Sequence, residues 1–231
     1  TANNKTYDGT TTATLSNSGT LVGLVTGEDL VLNNPTSVIF SSKDVGDNID
    51  VTATGYTIAD KDSFKASNYN LLDTSKTTTA NISKASLTAT LNDNSKIYDG
   101  TSYSGGNGIT FNGFVNGETA SLLGGNLVYS GTSQGAKDAG NYIISGSGLT
   151  SNNYNISFVD GKLTINKKDL TISNITANNK TYDGTTTATL SNIGSLVGLV
   201  TGEDLVLNNP TSVIFSSKDV GDNIDVTATG Y

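Results

Sequence analysis

Ser86–Leu91 reads SLTATL. Leu87, Ala89 and Leu91 fall at every second position, and hydroxylated residues fill the gaps. A β-strand turns successive side chains to opposite faces, so this pattern makes a strand with one face on a core and one in water. The same alternation recurs in GITFNGF ending at Phe114, NLVYS at Ser130, NYIIS at Ser145, NYNISFV at Val159 and KLTI at Ile165. Clusters of Gly, Asn and Asp punctuate these runs every 8–12 residues or so, as turns do. No window sustains the 3.6-residue apolar period of a helix. The fold class predicted is all-β: small antiparallel β-sandwich (Ig-like) repeats of roughly six or seven strands each, in an elongated tandem array. A β-grasp-like sheet is the alternative, with LVGLVTGEDL from Leu21 holding a short helical turn.

Composition narrows the function classes. There is no Cys, His, Met or Trp, so disulfides, thiolate metal sites and Ser-His or Cys-His catalytic pairs are excluded. Acids outnumber bases 21 to 13, a net charge of −8 that repels phosphate backbones. No polybasic patch addresses an anionic membrane. The longest apolar runs, such as SVIF from Ser37, are far too short to cross a bilayer. The expectation is therefore no nucleic-acid partner and no membrane insertion.

The chain repeats itself. Thr1–Tyr56 returns as Thr176–Tyr231 at an offset of 175, with only Ser18/Ile193 and Thr20/Ser195 differing over 56 positions. A diverged copy lies between them. The triplets Tyr7-Asp8-Gly9, Tyr98-Asp99-Gly100 and Tyr182-Asp183-Gly184 anchor the alignment. Val25-Thr26-Gly27-Glu28, Val115-Asn116-Gly117-Glu118 and Val200-Thr201-Gly202-Glu203 follow in the same order. Next come Lys43-Asp44-Val45-Gly46, Lys137-Asp138-Ala139-Gly140 and Lys218-Asp219-Val220-Gly221, then Asn68-Tyr69-Asn70 and Asn153-Tyr154-Asn155. Junction phrases place three copies at 1–83, 84–166 and 167–231; the first lacks an opening strand and the third its last strands. The junctions hold no Pro- or Gly-rich linker, so neighbours are expected to be held stiffly.

Each motif has a structural and a chemical reading. In Tyr-Asp-Gly, the ring packs on the core while Asp bonds its own backbone and Gly supplies positive φ. A catalytic or metal-binding Asp8, Asp99 or Asp183 is the weaker reading, because an active site rarely needs serial copies. Tyr-Asp-Gly-Thr preceded by Lys, then Val-x-Gly-Glu, Lys-Asp-x-Gly and Asn-Tyr-Asn, resembles the YDG-type repeat domain, a relative of the MBG repeats. Such repeats occur in very long bacterial surface proteins of the filamentous-haemagglutinin-like adhesin type. The resemblance covers the whole chain and implies an extracellular β-rich stalk without an activity of its own.

Two further chemistries are testable on the structure. KDVGDNID spaces Asp44, Asp47 and Asp50 regularly, and Asp219, Asp222 and Asp225 repeat the spacing. As an acidic loop this is a weak Ca²⁺ candidate, since Ca²⁺ takes six to eight oxygens. Lys96, Glu118 and Asn155 are the ingredients of a Lys–Asn isopeptide cross-link with a proton-shuttling Glu. No catalytic residue and no cofactor are otherwise expected. Expected partners are neighbouring repeats, like chains in a filament, and a host or matrix glycan or protein; Tyr103 and Tyr129 are the rings to examine for an exposed binding groove.

Overall fold

The computed structural model describes residues 1–231, and the chain is all-β. Its only helical segments are single 3₁₀ turns at Ala66–Asn68 and Ala120–Leu122. No helix is long and apolar enough to cross a membrane. The chain packs as two compact units. One comprises Thr1–Asn94, Ser104–Gln134 and Tyr142–Lys162; the other comprises Ser95–Tyr103, Gly135–Asn141 and Leu163–Tyr231.

In the first unit, SLTATL forms the strand Ala85–Leu91, and its alternation is visible in the fold: Ala85, Leu87, Ala89 and Leu91 are buried. This strand lies between Ile109–Asn112, antiparallel, and Tyr154–Val159, parallel. A second sheet has the order Lys5–Thr6, Ser75–Ser83, Gly46–Thr54, Ser37–Phe40. Its pairings are antiparallel except the first, where Lys5–Thr6 runs parallel to Ile82–Ser83. The antiparallel expectation did not contain these two parallel pairings. Parallel neighbours need a long crossover. Here the body of a copy supplies it, so each pairing joins the start of a copy to a strand near its end.

The two sheets share a core. Tyr7, Phe40, Val51, Ala80, Ile82, Ala85, Leu87 and Tyr154 form one buried cluster. Val45, Phe111, Phe114, Val115 and Ile156 pack against it. Ile82 and Ala85 flank the junction at Ser83-Lys84, so the apolar core is continuous through it. Each fully buried aliphatic or aromatic side chain in such a cluster contributes about 1.5–3 kcal/mol.

Two segments depart from the sequence expectation. KDVGDNID was expected to be an acidic loop, yet Gly46–Thr54 is a nine-residue strand. Its register shifts between Gly46 and Ile49, with Asn48 at φ 52°, the signature of a bulge. Ser75–Ser83 is polar until Ala80 and shows no long alternation, so it gave no strand signal. Its threonines suit a pleated surface, and the ladder to Gly46–Thr54 holds it in place.

The second unit consists of smaller pairings. Thr171–Ser173 pairs with Ser195–Val197, Thr176–Ala177 with Leu190–Asn192, and Ser212–Phe215 with Val226–Thr229, all antiparallel. Leu163, Ile165, Ala136 and Ala188 are its buried hydrophobics.

Candidate functional site: a tyrosine–glutamate clasp

The Tyr-Asp-Gly phrase folds as one local device in all its copies. Lys5 Nζ donates to Asp8 Oδ1 at 2.7 Å, to the Thr10 carbonyl at 2.7 Å and to the Thr12 carbonyl at 3.0 Å. Asp8 Oδ1 also accepts from the Thr10 amide and hydroxyl, both at 2.9 Å. Gly9 sits at φ 76°, where a Cβ would be strained. Lys96 repeats the bonds to Asp99 (2.6 Å) and the Thr101 carbonyl (3.1 Å). Lys180 repeats them to Asp183 (2.8 Å) and the Thr185 carbonyl (2.7 Å). An ammonium has three protons to donate and no acceptor. Closing the turn around it therefore fixes both Asp and Thr. Burial raises the Asp8 pKa, but Lys5 and Thr10 outweigh it and leave the carboxyl below its ordinary value. Lys180 and Thr185 hold Asp183 down at about 2.

This turn aims the tyrosine. Tyr7 Oη donates to Glu118 Oε1 at 2.5 Å, and Tyr154 Oη donates to Glu118 Oε2 at 2.6 Å. The two rings meet edge-to-face at 5.5 Å, and Phe114 stacks edge-on to Tyr154 at 5.4 Å. The Val115 amide donates to Tyr154 Oη at 3.0 Å. Lys43 Nζ donates to Tyr7 Oη at 3.2 Å and lies over that ring. Around the rim, Asn116 Nδ2 donates to the Gly9 carbonyl at 3.2 Å. Asn153 accepts from the Val45 amide at 3.0 Å and donates to Asp44 Oδ1 at 2.9 Å. A carboxylate that accepts two phenols forms charge-assisted bonds, the stronger class. Burial pushes Tyr154 up, and Glu118 adds to it, to about 12. Burial works to raise the Glu118 pKa too, but the two phenols outweigh it and hold the group below its ordinary value.

The second unit contains the corresponding bond. Tyr98 Oη donates to Glu203, which raises its pKa to about 12. A Cβ on Gly100 would meet the Val200 side chain at 2.8 Å, so this turn and the Val-x-Gly-Glu turn touch. In the first copy, Glu28 accepts from Tyr69 Oη, and the Val25 amide donates to that oxygen at 3.1 Å. A rule emerges. The Glu of Val-x-Gly-Glu takes the Asn-Tyr-Asn tyrosine of its own copy and the Tyr-Asp-Gly tyrosine of the copy before.

The other candidate residues fall elsewhere. Asp44, Asp47 and Asp50 do not converge, nor do Asp219, Asp222 and Asp225; no group of three acids is placed to hold a metal. The reason is local in the first copy. Asp47 and Asp50 are exposed on a bulged strand, while Asp44 bonds Asn153. Of the cross-link candidates, Lys96 spends its ammonium on Asp99 and Thr101, Glu118 binds the two tyrosines, and Asn155 is exposed. Tyr103 and Tyr129 are each half-buried, and the Tyr129 hydroxyl accepts from the Gly108 amide. A cleft of about 500 Å³ in the first unit, lined by Asn17–Val22, Tyr56 and Asn70–Asp73 among others, gave no sequence signal.

The clasp itself was missed from sequence. The signal was present, because Tyr, Glu and Asn-Tyr-Asn recur together in fixed order. Their meeting depends on chain separations of 111 and 36 residues for the two bonds to Glu118, which no local pattern predicts.

No protein of curated function matches the chain. The model of the MBG domain (YGX type) matches residues 87–164. The model of the YDG domain matches residues 1–80 and 166–231, well over half of the chain, and the protein belongs to the YDG domain family.

Proposed function

We propose that this protein is a spacer: repeats of a bacterial extracellular adhesin or surface filament that hold a binding tip away from the cell. The observation that carries this reading is the parallel pairing of Tyr154–Val159 with Ala85–Leu91. Adjacent parallel strands put the point of entry at one end of the pair and the point of exit at the other. At about 3.3 Å per residue, six paired residues advance the chain by roughly 20 Å. Lys5–Thr6 and Ile82–Ser83 repeat that arrangement in the first copy. Tension along the chain then loads such pairs in shear, so their bonds resist together. The continuous core through Ser83-Lys84 and the Glu118 clasp tie successive copies without a slack linker. The role is mechanical and non-enzymatic, the location is the cell surface, and the acidic charge keeps neighbouring stalks apart.

Single-molecule force extension tests this. A spacer resists pulling with a distinct rupture peak, and Leu87→Pro, which removes a ladder amide from the parallel pair, lowers that peak. Extension at low force without a peak, in protein shown to be folded by circular dichroism, overturns the reading.

A further inference from the structure

An uncovered sheet edge separates the middle copy from the other two. In the first copy, Thr12 bridges Ile39 along the outer side of Ser37–Phe40. There the Ala13 amide donates to the Val38 carbonyl at 3.0 Å, and the Phe40 amide to the Thr11 carbonyl at 2.7 Å. Thr187 bridges Ile214 in the same way in the third copy. In the second copy the stretch at the same distance from Tyr-Asp-Gly begins at Tyr103, and it is drawn elsewhere. The Tyr103 amide donates to the Ala136 carbonyl and the Gly135 amide to the Tyr103 carbonyl, both at 2.8 Å. The Gln134 side chain brackets Gly105, accepting from its amide and donating to its carbonyl at 2.8 Å each. Gly124–Ser130 is thereby left at a sheet edge, paired with Ser145–Thr150 on one side and with no strand on the other. This copy runs unbroken from its opening strand, Ala85–Leu91, to its closing one, Gly161–Asn166, so the edge belongs to the fold of the copy itself.

Exposed edges invite pairing, and proteins blunt them with charge, proline or a bulge. Here only a bulge is present, at Asn126-Leu127, where the register against Ser145–Thr150 shifts. No charged residue and no proline stands between Glu118 and Lys137. Val128 is 54% exposed. The strand is also symmetric in character: Gly125-Asn126-Leu127 and, read backwards, Gly131-Ser130-Tyr129 each run glycine, polar, apolar towards Val128.

We propose that Gly125–Gly131 pairs antiparallel with the same strand of a second copy of this chain, about a two-fold axis at Val128. Val128 then faces Val128, Leu127 faces Tyr129, and Asn126 faces Ser130. The two-fold makes every unlike match twice, and cross-strand pairs of this kind stabilise a sheet. The uncharged strand meets itself without repulsion. Elsewhere the net charge of −8 keeps two molecules apart, which confines the contact to this stretch. The bulge sharpens the local twist and keeps the paired stretch short, so association is weak and reversible.

Sedimentation equilibrium of the 231-residue protein over a concentration series tests the proposal. The weight-average mass is expected to rise from 23.8 kDa and to level off at twice that value. Added salt, which screens the acidic surfaces, is expected to tighten the dimer. Val128→Lys and Val128→Glu each set like charges face to face on the axis and are expected to weaken pairing by more than about tenfold. The decisive arm mixes the two variants: opposite charges then meet, and a 1:1 heterodimer returns. Ile39→Lys, at a similarly exposed position on a covered edge, keeps the wild-type dimer. Circular dichroism checks that each variant folds. A mass fixed at the monomer up to the solubility limit overturns the proposal. So do a mass that climbs past the dimer, weakening by salt, a mixture that stays monomeric, and loss of the dimer in Ile39→Lys. None of these results touches the spacer reading, which rests on pairing within the chain.

Discussion

Thr1–Tyr56 and Thr176–Tyr231 differ at two positions, yet they live in different surroundings. Tyr7 is buried in the core cluster while Tyr182 is mostly in water. Phe40 is fully buried, and Phe215 is only half-buried. Gly46–Thr54 is a nine-residue strand, whereas only Val226–Thr229 of the equivalent segment is strand. The local turns are nevertheless the same bond for bond, from Lys5–Asp8 to Lys180–Asp183. The comparison separates two kinds of information. Contacts over a few residues come with the sequence. Burial comes with a neighbour, here Ser75–Ser83 and the Val115–Glu118 turn.

Substitutions at paired positions should differ most where burial differs most. Tyr7→Ala is expected to cost about 3–5 kcal/mol in urea denaturation, the range for a large buried ring. Tyr182→Ala should stay within about 0.5 kcal/mol, as at an exposed site. Equal losses would mean the two windows share one environment.

The glutamates give the next effect. Glu118→Gln removes the charge from two phenol bonds and should cost about 1.5–3 kcal/mol. Glu28→Gln, with only Tyr69 bound, should cost about half as much in the same assay. The pH profile sharpens this. The Tyr154 pKa is raised, so its stabilisation is complete below pH 10.0 and is lost as pH climbs through about 12. The Glu118 pKa is depressed, so its stabilisation is present above pH 4.5 and is lost as pH falls through the lowered value. Thermal melts of the wild type should therefore fall at both extremes, and Glu118→Gln should flatten the acid limb.

Glycines separate turn strain from clasp packing. Gly9 and Gly184 both hold positive φ, so Ala at either position costs about 1–2 kcal/mol in backbone strain. A Cβ on Gly9 would also meet the Asn116 Cβ at 2.8 Å, while one on Gly184 meets only the Tyr182 hydroxyl at 3.9 Å. Gly9→Ala should be the worse by about 1 kcal/mol in urea denaturation. The smallest difference is expected at the aspartates. Asp8→Asn and Asp183→Asn disturb identical local turns, so their losses should agree within about 0.5 kcal/mol.

Much of the fold was legible where a strand carries its own alternation. SLTATL, NYNISFV and KLTI became Ala85–Leu91, Tyr154–Val159 and Gly161–Asn166. Ser75–Ser83 and the bulged start of Gly46–Thr54 were not legible, because threonine-rich and acidic runs form strands only when a partner completes the ladder. The parallel pairings escaped for a related reason: a strand's sequence does not state which direction its neighbour runs. Of the site, the Lys-x-Tyr-Asp-Gly-Thr turn was legible and the clasp was not.

The all-β class, the repeat and the turn that aims each tyrosine follow from the order of residues alone, since Lys, Asp, Gly and Thr lie within reach of one another along the chain. What each tyrosine meets is set by long-range packing. Tyr7 and Tyr182 stand in the same phrase, and the difference between a buried clasp and an open surface is a glutamate 111 residues away. Local hydrogen bonds need only neighbours in the chain, whereas burial needs another surface brought across a long loop, and no residue carries that surface within itself.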